Sequence, residues 1–265
     1  MTLTQNLRFV GLLIKMKLSR MMAFRLSFFG AFFADGTLFV IQILTFAVIY
    51  GQVDTIGGWG RGQMLIFIGT FAMIDGLNMF IFFFGLGGIA TRISDGTLDY
   101  YLTKPGNILL RLTFEDVNLG SAPLLLLSGG IIAWGVSALN IHVTPLLLCG
   151  YTAMLLLMTL LYYDMELILR TISFFVITAA SIGQMEGDML LLNFKIPGII
   201  YKGFFKVLFC FVLPYGIMAT IPTQVLSRSY TLPGVLTGIV IVIVFTAFAL
   251  WFWRFGLRNY KSASS

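Results

Sequence analysis

Five stretches of the chain, residues 28–50, 64–88, 119–139, 204–222 and 232–253, each hold no more than one charged side chain. A bilayer core of about 30 Å is crossed by about 20 helical residues at about 1.5 Å apiece. Each stretch meets that length. Buried in lipid, a backbone must satisfy its own hydrogen bonds, so runs of this kind become helices. A sixth run, 145–163, is followed by Asp164, Glu166 and Arg170 and then by a second apolar piece, 171–183. That piece is too short to cross alone.

Composition agrees. Charged residues make up 11% of the 265, whereas a soluble domain carries about 25%. The expected fold is therefore an all-α integral membrane protein forming one transmembrane domain over residues 1–265.

Charge sets the orientation. With six crossings and both termini in the cytoplasm, the cytoplasmic segments hold fifteen of the 17 basic residues, leaving only Arg61 and Arg228 outside. Seven crossings would put the tail that carries Arg254, Arg258 and Lys261 on the wrong side. The net charge of +6 thus reads as topology rather than nucleic-acid binding. On this reading the fourth helix is long and emerges with Glu166 and Arg170 paired four residues apart. A re-entrant or interfacial segment stays open for 171–200, and Pro197 breaks the helix before the fifth crossing, 204–222.

The first 27 residues carry five basic side chains and no acidic one. Leu3, Leu7, Val10, Ile14, Leu18 and Met21 recur at helical spacing, with Arg8, Lys15 and Arg20 mostly off that stripe. Residues 1–27 are therefore expected to form an interfacial amphipathic helix lying in the headgroup plane, the alternative being a cytoplasmic extension of the first span. No removable signal is expected, because the following apolar run is too long.

Catalytic signatures are missing. His142 is the only histidine, and Cys149 and Cys210 lie in apolar runs, so no metal cluster or disulfide framework is expected. No Gly-Lys dipeptide occurs, which excludes a P-loop. The chain is not expected to be an enzyme or to hold a cofactor.

Charges inside the spans are costly, about 2.5–3.5 kcal/mol each on insertion scales. Asp35 and Asp75 should face the bundle interior. They either line a path or hold helices together through hydrogen bonds, with Asn78 and Gln42 as partners in reach. Asp164, Glu166 and Arg170 read as charges at the cytoplasmic boundary. Gly234 with Gly238, and Gly30 with Ala34, are spaced for close helix crossings.

The loop 89–113 is the most informative polar segment. Residues 91–105 read TRISDGTLDYYLTKP. Asp95-Gly96 signals a turn, Thr97 is placed to cap a short helix, and Leu98, Tyr101 and Leu102 share a face. Such a helix either docks into a groove on a soluble partner or lies on the membrane as a linker.

Residues 92–105 also resemble the R-x-G-x-L-D-x-x-L-x-[RK]-P segment of bacterial ABC-2 type transporter permeases, in particular the six-span "ABC-2 family transporter protein" group. Gly96, Leu98, Asp99, Leu102, Lys104 and Pro105 match, with Arg92 as the upstream basic residue. Residues 211–226, FVLPYGIMATIPTQVL, are similar to that family's fifth span, and residues 253–264 to its end. The chain departs at 193–197, where Ile196 precedes Pro197 in place of an aromatic.

The resemblance implies a type V exporter-like architecture in the bacterial cytoplasmic (inner) membrane. It implies two permease chains, identical or related, and two copies of a separate ABC ATPase, which carry the ATP and magnesium. It also implies that the loop, with Arg92, Gly96, Leu98, Asp99, Tyr101, Leu102, Lys104 and Pro105, couples the ATPase to the bundle. Drugs, peptides, lipids or glycans would be exported by alternating access. A self-contained channel or secondary transporter is the alternative.

Overall fold

In the computed structural model the described residues are 8–16, 25–104, 106–176 and 179–260; the side chains of 25–35, 38, 179–183, 185 and 186 fall outside the description. So the expectations placed on Asp35, Pro105 and the Gly30–Ala34 pair, and most of the N-terminal stripe, lie outside the described residues. Within residues 1–27 a helix, α1, is described over 8–16.

Among the described residues there is no strand beyond one isolated bridge, Ile56 to Trp59. The long helices are α2 (Arg25–Ile49), α3 (Arg61–Ile81), α8 (Ala122–Ala138), α9 (Pro145–Thr171), α10 (Ala179–Lys195) and α14 (Leu232–Asn259). Between α3 and α8 run four short helices: α4 (Phe83–Gly87), α5 (Ile89–Ser94), α6 (Asp99–Leu102) and α7 (Ile108–Phe114). Before α14 come α11 (Gly203–Val207), α12 (Tyr215–Met218) and α13 (Thr220–Leu226).

Four described helical stretches are long and apolar enough to cross a membrane: Arg61–Ile81, Leu119–Ala138, Pro145–Phe174 and Leu232–Asn259. The number becomes five if the bent pair Gly203–Val212 and Tyr215–Leu226 is one span. Their starts follow local chemistry. Thr144 and Thr231 accept backbone N–H bonds from Leu147 and Gly234, each at 3.3 Å, with prolines in the first turn.

α3 and α8 are antiparallel and nearly touch. Gly62, Gly69 and Gly76, seven residues apart, meet Leu139, Ile132 and Leu125 in turn. A Cβ on Gly69 would sit 2.9 Å from the Ile132 nitrogen, and one on Gly135 2.8 Å from the Ile66 nitrogen. Small residues here let the backbones approach. This register defines two ends of the bundle. The upper end carries loops 50–60 and 139–144; the lower end carries α4–α7.

The chain then departs from the expected fifth crossing. α9 descends to Thr171, longer than its apolar run alone, as the Glu166–Arg170 spacing suggests. α10 climbs back. Its residue Gly187 lines one cleft with Glu166 and Arg170, and Phe194 packs edge-on to Phe39 with centroids 5.0 Å apart and against Phe71 at 4.9 Å. Pro197 ends the helix in extended conformation (ψ 142°). Ile199 and Ile200 then reach Gly57 in an upper-end loop.

Residues 204–222 therefore do not form a straight span. α11 and a following π turn (Leu208–Val212) are bent by 77° from Tyr215–Leu226. The cause is local: Leu213 leaves the helical region (φ −123°, ψ 76°) and Pro214 has no N–H to continue the ladder. α12 and α13 rise through the core and end at the upper end, where the Arg228 guanidinium donates to the His142 carbonyl at 2.9 Å. The residues flanking the segment both reach upper-end loops, Ile199 and Ile200 at Gly57 and Arg228 at His142. Gly198 crosses so close to Gly216 that a Cβ would collide with the Gly216 carbonyl.

Candidate functional site

Two features stand out. The first is a cleft of about 650 Å³ between α2, α3, α9 and α10. Its apolar walls are Phe39, Phe71, Met79 and Phe194; its polar groups are Gln42, Asp75, Glu166, Arg170 and Lys195. Each polar residue sits on a different turn of one of the four helices, so only the fold brings them together. Arg170 Nε donates to Glu166 Oε2 at 3.0 Å, in a pair whose Glu166 side chain is fully buried. Gln42 Nε2 donates to the Phe194 carbonyl at 3.1 Å and ties α2 to the top of α10.

Asp75 thus lines the cleft, whereas Asn78, one turn on, does not. Asn78 is completely buried, and its amide has no hydrogen bond among the described residues. Asp164 and Glu166 are buried, 1% and 0% exposed. The Thr246 hydroxyl donates to Asp164 and links α9 to α14. The last turns of α9 carry both carboxylates alongside other helices.

Phe194 and Lys195 were not expected at a site from the sequence, and Gln42 was expected only as a hydrogen-bond partner of the intramembrane aspartates. Glu186 and Asp188 interrupt the apolarity of α10, so its hydropathy does not announce a helix that packs in the bundle. The available signal was the break at Pro197 after a helical run.

The second feature is the lower-end platform of α4–α7. Gly96 takes a left-handed conformation (φ 68°) after α5, and the Leu98 N–H returns to the Arg92 carbonyl at 3.0 Å. That turn requires glycine. Leu98, not Thr97, holds the cap position of α6, and it has no side-chain cap bond. Leu98 is fully buried among Phe82, Leu86, Ile89, Leu112, Leu167 and Trp253. It therefore cannot share an open face with its neighbours. Tyr100 and Leu102, 68% and 42% exposed, form the apolar surface of the platform instead.

Arg92 fastens the platform. It donates to the Gly85 carbonyl at 2.8 Å and the Asp116 carboxylate at 3.2 Å, and its guanidinium lies 5.2 Å from the Tyr101 ring. Arg111 lies 5.0 Å from the same ring. Burial pushes the Tyr101 phenol above its ordinary value, the Arg92 charge opposing it. Burial and then the Asp99 carboxylate do the same to Tyr260, which places Asp99 against the end of α14. Phe9 of α1 meets Tyr101, Lys104 and Arg111 at the platform's edge. Among the described residues no group of acidic, histidine and cysteine side chains is arranged to hold a metal.

A bundle of long apolar helices around a polar cleft, with a folded platform at one end, defines a multi-pass membrane protein. The chain belongs to the family described as ABC-2 family transporter protein, which it matches over residues 37–264. It is accordingly a membrane permease component of an ABC transporter, not the ATPase. Such permeases normally work with an ABC ATPase. No curated protein and no solved structure matches the chain.

Proposed function

We propose that this permease crosses the membrane six times, through α2, α3, α8, α9, α10 and α14, with the lower end and both termini in the cytoplasm. α10 takes the place that residues 204–222 hold in a reading of hydropathy alone. Positive charge supports the orientation: Arg8, Lys15, Arg92, Lys104, Arg111, Arg170, Arg254 and Arg258 belong to the lower end and Arg61, Lys195, Lys202, Lys206 and Arg228 to the upper, an excess below that is smaller than the fifteen to two of a straight fifth crossing.

Two such chains, identical or related, would pair in the bacterial inner membrane with two copies of a separate ATPase, which would hold the ATP and magnesium. The ATPase docks on the platform. Tyr100 and Leu102 enter its groove, Lys104 flanks them, and Leu98 and Arg92 hold the platform to the bundle. Differential contacts in the two ATPase states bias the bundle between inward and outward openings and drive export. The cleft containing Asp75, Glu166 and Arg170 belongs to the path.

The observation that carries this reading is the exposed Tyr100–Leu102 surface standing on a fully buried Leu98. The test is purification from the native membrane in mild detergent. A stoichiometric P-loop ATPase, lost on Tyr100→Arg with Leu102→Arg while the permease elutes unchanged, supports it. A chain that runs alone, with no ATPase, overturns it in favour of a self-contained channel or secondary transporter.

A further inference from the structure

α14 carries an unpartnered basic trough at its lower end. Ala247, Leu250, Trp251, Arg254, Phe255 and Arg258 line a space of about 370 Å³. Their spacing puts them on one face of the helix. Trp251, Phe255, Arg254 and Arg258 are all exposed, and neither arginine has a carboxylate partner among the described residues.

The depth of these arginines is fixed by the helix itself. No charge occurs from Leu232 to Trp253, and Arg254 is the first. That run spans about 33 Å at about 1.5 Å per residue, close to the hydrocarbon thickness. Arg254 therefore stands where lipid phosphates lie, with Arg258 one turn further out. The aromatic wall is rigid: Trp251 stacks on Phe255 (5.8 Å, 10°), and Phe255 stacks on Phe175 (5.6 Å, 25°).

We propose that this trough is a binding site for an anionic phospholipid, its phosphate held by Arg254 and Arg258 and its acyl chain lying along Trp251 and Leu250. Arginine forks match phosphate geometry, and basic sites at the cytoplasmic end of membrane helices recognise anionic headgroups. The apolar wall commits the site to a lipid rather than to free phosphate. A soluble anion would gain nothing from the exposed Trp251 surface.

The full chain in nanodiscs tests this through quenching of Trp251 by lipids brominated on the acyl chain. The Trp251 signal is the difference between the natural chain and Trp251→Phe. Brominated phosphatidylglycerol should quench it more than brominated phosphatidylcholine at equal mole fraction, an enrichment of about fivefold for each arginine. Arg254→Gln with Arg258→Gln should abolish the preference, the lysine pair should retain part of it, and glycerol phosphate in solution should not compete. Equal quenching by the two lipids would show bulk lipid only. No quenching by either would show the trough covered by protein, such as a second copy. Competition by glycerol phosphate would show a site for soluble anions. Each of these three results overturns the proposal. Unchanged thermal unfolding of the glutamine pair would tie loss of preference to the site, and native mass spectrometry of bound lipid reads the same preference without fluorescence.

Discussion

Arg92 and Asp116, 24 residues apart, meet at 3.2 Å and close the platform into a ring under the end of α3. Both side chains are partly exposed, 17% and 30%, so the ion pair itself contributes well under about 1 kcal/mol. Arg92 also serves the Gly85 carbonyl and the Tyr101 ring. Arg92→Ala should therefore cost about 1–3 kcal/mol and open residues 89–116 to protease, while Asp116→Asn should do little. Limited proteolysis of membranes distinguishes the two; equal effects would mean that the ion pair dominates.

Leu98 and Leu102 should separate stability from association. Leu98→Ala empties a fully buried site and should cost about 2–5 kcal/mol. Leu102→Ala should leave the unfolding temperature unchanged and weaken only ATPase capture. Thermal scans with co-purification read both, and a stable Leu98→Ala would contradict the packing.

The α3–α8 contact makes a sharp comparison between glycines. Gly69→Ala and Gly135→Ala place a methyl under 3 Å from facing backbone nitrogens. A shift of the helices costs about 1–3 kcal/mol. Gly130→Ala meets nothing within 4 Å and should be neutral or slightly stabilising. Thermal unfolding in detergent ranks them, and equal tolerance at all three sites would refute the close approach.

The Glu166–Arg170 pair should show stranding. Removing either partner alone leaves a poorly solvated charge, at about 3–5 kcal/mol for a buried pair. Glu166→Ala should be less stable than Glu166→Ala combined with Arg170→Ala. A double variant worse than either single one would contradict the argument.

Labelling checks the re-entrant pair. With Cys149 and Cys210 replaced, cysteines at Lys202 and Arg228 should react with an impermeant maleimide from the same side of intact cells, and one at Lys104 from the other. Labelling of Lys202 and Arg228 from opposite sides would restore a straight crossing at 204–222.

Much of this was legible in the residues. Hydropathy and length place α3, α8, α9 and α14. The Glu166–Arg170 spacing extends α9, and Asp95-Gly96 marks the platform's turn. Three things were hidden. α10 carries Glu186 and Asp188, so its packing with Phe39 and Phe71 is a tertiary fact with no apolar signature. The bend at Leu213–Pro214 lies inside a run whose composition suits a span. Leu98 shares its helical face with Tyr101 and Leu102 in sequence, but the return of its N–H to the Arg92 carbonyl turns it inward. Trp251, Arg254 and Arg258 read as an ordinary helix end until the stacking of Phe175 fixes a wall beside them.

α9 runs unbroken from the Thr144 cap to Thr171 and is about 40 Å long. Tyr151 is bonded to Thr70 near its top and Tyr163 to Thr113 of α7 near its bottom, each at 2.9 Å, while Met158 packs against Gly238 between them. A stiff rod held at its middle is a lever. A displacement of the platform that tilts it about Met158 moves the Tyr151 end by a similar distance the opposite way. In the proposed alternating access, opening at one face and narrowing at the other would then be a single rotation, and no helix would have to unwind to link them.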